Sequence, residues 1–221
     1  MPERNWADMK ILAIADIHGN FSRIESILSG AGEVDAILVA GDITNFGPDE
    51  KAKEILDILA ASCKNVMAVP GNCDPRSVLQ AIQNSGAKSL HDSALKLGDT
   101  TFIGLGGSNI TPFGTPFEFS EEEMEEIISR LMEKIDGRTV LLSHAPPRNT
   151  LDFTANGNVG SKAIREILDY VDLVICGHIH EARGTQKVGD TLVVNPGPAS
   201  KGFAAIVTIN KEIKTELIDL R

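Results

Sequence analysis

KILAIADIHGN (Lys10–Asn20) reads as a short apolar strand that stops at a carboxylate, with an imidazole two residues further on. The pattern returns in DAILVAGDITN (Asp35–Asn45) and NVMAVPGNCD (Asn65–Asp74). Between these runs lie helical segments: SRIESILSG, then DEKAKEILDILAAS, whose Ile55, Leu56, Ile58 and Leu59 recur at helical spacing. PRSVLQAIQNSG follows the third run, with a proline suited to a first helical turn. Strands apolar on every residue predict parallel pairing in a sheet covered by helices.

Beyond residue 90 the pattern changes. SALKLGDTTFIGLGG predicts a hairpin turning at Gly98-Asp99. SEEEMEEIISRLMEKIDG predicts a helix with Ser120 as N-cap, acidic residues in its first turn and Gly137 closing it. TVLLSHAP and DLVICGHIH are further apolar runs ending in polar residues, separated by the helical SKAIREILDYV. From Thr185 the chain reads as meandering strands with turns at Gly189-Asp190 and Asn210-Lys211. An α/β start and a hairpin-rich end predict one α/β domain over residues 1–221, with two packed sheets and helices outside. Residues 1–8 read as a flexible N-terminal extension. GGSNITPFGTPFEF (Gly106–Phe119) and APPRNTLDFTANGNVG (Ala145–Gly160) read as long loops, placed to rim a site.

Composition narrows the partners. The chain has 221 residues, 42% of them hydrophobic, enough for one sizeable core. No apolar run approaches the roughly 20 residues that span a bilayer. MPERNWADMK holds no apolar secretion segment, so a cytoplasmic location is the expectation. The three cysteines, at 63, 73 and 176, read as reduced thiols. A net charge of −10 predicts no membrane association and no stable nucleic-acid binding. An anionic substrate would need a local positive centre.

Such a centre is suggested by what ends each apolar run: Asp16 and His18, Asp42, Asn72, His144, and His178 with His180. Loops at the carboxyl ends of parallel strands are where ligands bind in α/β sheets. Residues two apart in an extended segment point the same way, so Asp16 with His18, and His178 with His180, can face one site. Carboxylates, imidazoles and an amide suit Mn²⁺, Fe or Zn²⁺ better than Ca²⁺ or Mg²⁺. Seven ligands are too many for one ion with an open position; two ions sharing a carboxylate use them fully. A lone D-x-H or G-D is a weak signal, whereas five motifs in order on five strand ends are specific. His91, in SLHDSAL, ends no apolar run and reads as a surface or hydrogen-bonding residue.

D-x-H, G-D-x-x-N, G-N-x-D, an isolated S-H and G-H-x-H, in that order from Asp16 to His180, resemble the motif set of calcineurin-like metallophosphoesterases. The resemblance implies a four-layer sandwich of two mixed β-sheets flanked by helices. It implies a first ion on Asp16, His18, Asp42 and His180, and a second on Asp42, Asn72, His144 and His178. It also implies two divalent ions per chain, with Mn²⁺ foremost and Fe, Ni²⁺ or Zn²⁺ as alternatives. The implied activity is a phosphodiesterase on a small phosphate ester or nucleotide, attacked by a hydroxide shared between the ions. With only two carboxylates among seven ligands, the loaded site stays positive inside an acidic protein.

Cys73 marks a departure, because many family members carry a histidine there that protonates the leaving oxygen. A thiol is a poor general acid beside imidazolium. Cys73 is therefore carried as the candidate catalytic position, read as a small residue in a tight turn and a mark of a small single-domain phosphodiesterase subgroup with G-N-C-D. Asn45, Asn109 and Arg148 are softer substrate-contact candidates, and Asp74 a candidate for orienting neighbours. The alternatives are a protein-interaction scaffold on the same fold and a phosphomonoesterase or protein phosphatase.

Overall fold

A computed structural model describes residues 8–221; the expected extension at residues 1–8 lies, Asp8 apart, outside the described residues. Two six-stranded sheets form the centre. The first runs, edge to edge, Ile213–Asp219, Phe203–Ile209, Met9–Ile14, Ala36–Ala40, Val66–Val69, Lys88–Ser89. The last four of these pair in parallel, and Phe203–Ile209 joins Met9–Ile14 antiparallel. The second sheet runs Gly184–Val188, Thr191–Asn195, Leu173–Ile175, Arg138–Ser143, Thr100–Leu105, Ser93–Leu97. Its four inner strands are parallel and both edge strands antiparallel. Both sheets are mixed.

The strand alternation explains why these segments are apolar throughout. Ile11, Leu38, Met67 and Val69 meet Phe102, Val140, Leu142, Ile175 and Val194 of the second sheet in one buried layer. Their neighbours Leu12, Ile14, Ile37 and Val39 point the other way, onto Ile24, Ile27, Ile55, Leu56, Leu59 and Val78 of three helices. On the far side, Ile103, Leu141 and Val174 pack against Met124, Ile128, Leu131 and Ile164 of two more. Along residues 11–14, 36–40 and 66–69 every side chain faces either the other sheet or a helix, so no polar position exists there. This is the four-layer sandwich with helices on both outer faces.

The helix over Asp49–Ser62 buries Ala52, Ile55, Leu56 and Leu59, whereas Ile58 lies off that face and is 41% exposed. Ser120 and Glu123 form a reciprocal capping box on Glu121–Met132. That helix stops before Gly137, whose φ of 71° closes the following turn instead. SKAIREILDYV divides into Lys162–Glu166 and a 3₁₀ turn at Leu168–Tyr170. The three expected turns join Leu97 to Thr100, Val188 to Thr191 and Ile209 to Ile213. The two tail hairpins, however, go to different sheets. Among the described residues no helix is long and apolar enough to cross a membrane.

The two long loops are partly ordered by short pairings. Ser108–Asn109 lies parallel to Glu118–Phe119, and Phe153–Thr154 antiparallel to Gly157–Asn158. Asn109 Nδ2 donates to the Val159 carbonyl (3.1 Å), tying one loop to the other.

Candidate metal centre

The parallel strands of both sheets end at one place, and the backbone there turns sharply. Asp16, His18, Asp42 and His178 all adopt positive φ, between 47° and 70°. Non-glycine residues seldom sit in this region, and four of them in one cluster mark a built site. Neighbouring strands must come close for the side chains to converge. A Cβ on Gly71 would fall 2.1 Å from Asp42 Oδ1, and one on Gly177 would fall 2.8 Å from Asp16 Oδ2. Glycine is required at both by close approach alone.

The structure brings all seven expected ligands together. Asp16, His18 and His180 place one donor atom each within 4.8 Å of one another, as do Asp16, Asp42 and His144. His180 Nε2 lies 3.4 Å from Asp16 Oδ1 and 3.2 Å from His18 Nε2. Asp42 divides its two oxygens: Oδ2 faces His18 Nε2 at 3.8 Å, and Oδ1 faces His144 Nε2 at 3.5 Å. The His178 ring packs edge-on against His144 at 5.0 Å, and its backbone N–H donates to Asp16 Oδ1 (3.2 Å).

Two features fit a cation and little else. Asp16 is fully buried, yet its Oδ2 has no hydrogen-bond partner. A buried carboxylate oxygen left in this way costs free energy unless a positive ligand faces it. The second feature is at His144. Its Nδ1 lies 2.8 Å from the Ala40 carbonyl, which can only accept, so Nδ1 carries a proton and a metal would be taken by the Nε2 lone pair. That lone pair sits 2.9 Å from Asn72 Oδ1. Asn72 cannot turn its amide round, because Nδ2 already donates to Thr115 Oγ1 (2.9 Å). With Nε2 deprotonated, as a metal ligand must be, two acceptors face each other, and a shared cation turns that repulsion into coordination.

Protonation behaviour agrees. Burial first, then the neighbouring His144, lowers His178 to a pKa of about 4, so its ring is neutral near pH 7. Burial likewise lowers His18. Burial alone would raise Asp16, but the hydrogen bond from His180 and the nearby imidazoles outweigh it and hold the carboxyl below its usual range. His180 is raised by that same bond.

A family model for calcineurin-like phosphoesterases matches residues 9–182, from the first strand to the end of the turn His180–Ala182. The chain belongs to that family. An uncharacterized protein of Methanocaldococcus jannaschii is 38% identical over 202 residues, covering 87% of this chain and 89% of that one. A protein of Vesicomyosocius okutanii named a probable cyclic nucleotide phosphodiesterase is 23% identical over 197 residues, covering 87% and 82%. Among solved structures, a Thermus thermophilus protein superposes with a TM-score of 0.75 at 18% identity, covering 95% of this chain and 99% of that one. Members of the family are phosphoester hydrolases that use divalent metals, and the Asp/His clusters of this phosphoesterase suit such ions.

The remaining candidates of this phosphoesterase separate into supports and bystanders. Asp74 is buried and accepts from the backbone N–H groups of Ile43 (3.0 Å), Thr44 (2.7 Å) and Gly71 (2.8 Å) and from the Thr44 hydroxyl (2.8 Å). It ties the Asp42 loop to the Asn72 loop. Burial and the charge of Asp42 still push its pKa up to about 6. Cys73 is half-buried; its backbone N–H donates to Asp42 Oδ1 (2.8 Å), and its Sγ lies 3.7 Å from Asn72 Nδ2. Burial, then Asp42, raises its thiol far above the ordinary range. Asn45 is exposed, Asn109 braces the two loops, and Arg148 donates its backbone N–H to Ser161 (2.8 Å). Of the two expectations for His91 the hydrogen-bonding one holds: the partly buried ring stacks on Phe119 at 5.7 Å and its Nδ1 accepts from the Gly106 N–H (3.0 Å). Thr115 and Glu118 escaped the sequence reading, for they lie in a loop without periodicity.

Proposed function

We propose that this phosphoesterase is a two-metal phosphodiesterase acting on a small or nucleotide-like phosphodiester. In this reading Asp16, His18, Asp42 and His180 hold one ion, and Asp42, Asn72, His144 and His178 hold the other. The observation that carries it is the split of Asp42, whose two oxygens face two different histidines 3.8 and 3.5 Å away, as a shared ligand must. The orphaned Asp16 oxygen and the opposed Asn72–His144 acceptors support one ion on each side. Mn²⁺ is the first ion to supply, given a donor set of imidazoles, carboxylates and one amide. Bound divalent ions supply Lewis acidity to the phosphate and bring water into reach of deprotonation near neutral pH.

The chain's own part is to hold donors fixed and to leave the leaving group without a strong acid. The His144 ring is locked by its bond to Ala40, and Asp42 is steadied by the N–H of Cys73. The side chain next to Asn72 is a thiol, so no imidazolium is supplied there to protonate a departing alkoxide. That favours esters whose leaving oxygen is already acidic, namely aryl diesters, nucleotide diesters with an aryl leaving group, or phosphoanhydrides. The likeness to a probable cyclic nucleotide phosphodiesterase supports a diester substrate, not an acidic leaving group. The diester preference is tested by loading the protein with Mn²⁺ and comparing bis(4-nitrophenyl) phosphate with 4-nitrophenyl phosphate, which share one leaving group. A higher kcat/KM on the diester is expected, and a faster monoester overturns the preference. A protein that binds no metal, and that Mn²⁺ does not activate, overturns the reading as a whole.

A further inference from the structure

The loop Gly106–Phe119 carries a hydrogen-bond chain that ends on the candidate ligand Asn72. Thr115 Oγ1 accepts from Asn72 Nδ2 (2.9 Å) and gives its own hydrogen to Glu118 Oε1 in a short bond. Glu118 Oε1 also accepts from the Thr115 backbone N–H (2.9 Å) and the Thr111 hydroxyl (2.5 Å). The polarity of the chain is fixed at every link. A carboxylate can only accept, so the Thr115 proton points to it; the Thr115 oxygen must then receive the Asn72 N–H. What remains of the amide, Oδ1, faces His144 Nε2 at 2.9 Å. Each link also polarises the next, leaving more negative charge on that oxygen. The loop is anchored from both sides: the Phe117 N–H donates to the Asn72 carbonyl (3.2 Å), and the Arg76 guanidinium stacks on Phe117 (4.7 Å) and donates to the Glu118 carbonyl (3.3 Å). Partial burial works against ionisation of Glu118, but the bonds from Thr111 and Thr115 outweigh it and hold the carboxyl below its usual range.

We propose that Thr115 and Glu118 are positioning residues that set the orientation of Asn72 and thereby the affinity of the second ion, without touching the first. The proposal rests on the two-ion reading given above. Asp16, His18 and His180 receive nothing from this chain, so the two ions respond differently to its loss.

The test is calorimetric titration of the metal-stripped protein with Mn²⁺, with Asn72→Ala identifying the step that belongs to Asn72. Outer partners of metal ligands typically carry about 10–100-fold in affinity. Thr115→Val keeps the shape and removes both links, so it should weaken the Asn72 step by about that factor, leave the other step unchanged, and be rescued by Thr115→Ser. Glu118→Gln, which keeps an acceptor and loses the charge, should weaken the same step by roughly several-fold, below the full outer-partner range. A Thr115→Val titration superimposable on the wild type, or one in which both steps fall together, overturns the proposal and leaves the two-ion reading standing. Wild-type protein that takes up fewer than two ions overturns that reading and the proposal with it.

Discussion

Asp16 and Asp74 are both fully buried carboxylates at the same end of the first sheet, and the protein treats them in opposite ways. Asp74 receives four hydrogen bonds, from three backbone N–H groups and a hydroxyl. Asp16 receives one backbone N–H and the His180 imidazole on Oδ1, leaves Oδ2 without a partner and follows a strained φ of 53°. A carboxylate whose lone pairs the chain itself fills is part of the scaffold. One that the chain has buried and left open waits for something from outside. Sequence position does not separate them, since each simply follows an apolar run; the account of their hydrogen bonds does.

The contrast is broken most directly at Asp74. Asp74→Ala strands three backbone donors and a hydroxyl in a dry place. Each such donor costs about 1–3 kcal/mol, so with partial rehydration the variant should lose roughly 3–5 kcal/mol. Against typical stabilities of about 5–15 kcal/mol that is a large share. Urea unfolding should show a lower midpoint at unchanged slope. A loss below about 1 kcal/mol would erase the distinction drawn here.

Asp16→Asn is the reverse experiment. The amide keeps an acceptor for the His178 N–H and removes the charge that a cation needs. Turnover of the Mn²⁺-loaded protein should fall by more than about 100-fold, beyond what outer partners of ligands usually carry. In metal-free protein, stability should stay within about 1 kcal/mol of wild type, or rise, because a buried charge has gone. Metal-free Asp16→Asn unfolding as easily as Asp74→Ala would mean that both carboxylates are scaffold.

How much of this was legible in the sequence follows the same line. Wholly apolar strands dictate a sheet buried on both faces, and Asp16, His18, Asp42, Asn72, His144, His178 and His180 each stand at a strand end, so topology had to gather them. The partition of the tail was not legible. TLVVN and FAAIVTI are equally apolar, and which sheet each joins is decided by packing against Ile175 or Ile11, far away in sequence. The Thr115–Glu118 chain was hidden for another reason. Loop polar residues carry no period, and T-P-F-G-T-P-F-E becomes informative only when its hydroxyl is seen between a carboxylate and Asn72.

His91 sharpens the comparison with a third kind of polar group, one partly buried and satisfied but able to titrate. Burial, above all, lowers its pKa to about 4, and the N–H of Gly106 donated to Nδ1 is compatible only with an unprotonated nitrogen. The unfolded imidazole titrates near 6.5, so between about 6.5 and 4 the unfolded chain binds the extra proton. Stability should therefore be fully present above pH 6.5 and decline as pH falls towards 4. With the ring partly open to solvent, the full decline should be about 2 kcal/mol. His91→Gln, which keeps an acceptor for Gly106, should remove that part of the slope between pH 7 and pH 4.5. An unchanged slope would assign the acid sensitivity elsewhere.

The smallest effect belongs to Cys73, although it sits beside Asn72 and within reach of Asp42 and His18. What the fold takes from this position is its backbone: the N–H donated to Asp42 Oδ1 and the carbonyl that accepts from Phe46 (3.1 Å). Any residue but proline supplies both. The thiol adds a long contact of 3.7 Å to Asn72 Nδ2, whose stronger bond runs to Thr115. A serine hydroxyl occupies slightly less space and accepts from the same N–H. Cys73→Ser should therefore change kcat/KM on a diester by less than about threefold, under 1 kcal/mol on the scale where a tenfold change is 1.36. Loss of more than about tenfold, with Mn²⁺ stoichiometry intact, would instead place the sulfur in contact with the reacting phosphate. In that case the thiol, and not merely the absence of imidazole, would set the preference for acidic leaving groups, and Cys73 would join Asp16 among groups left open for a ligand.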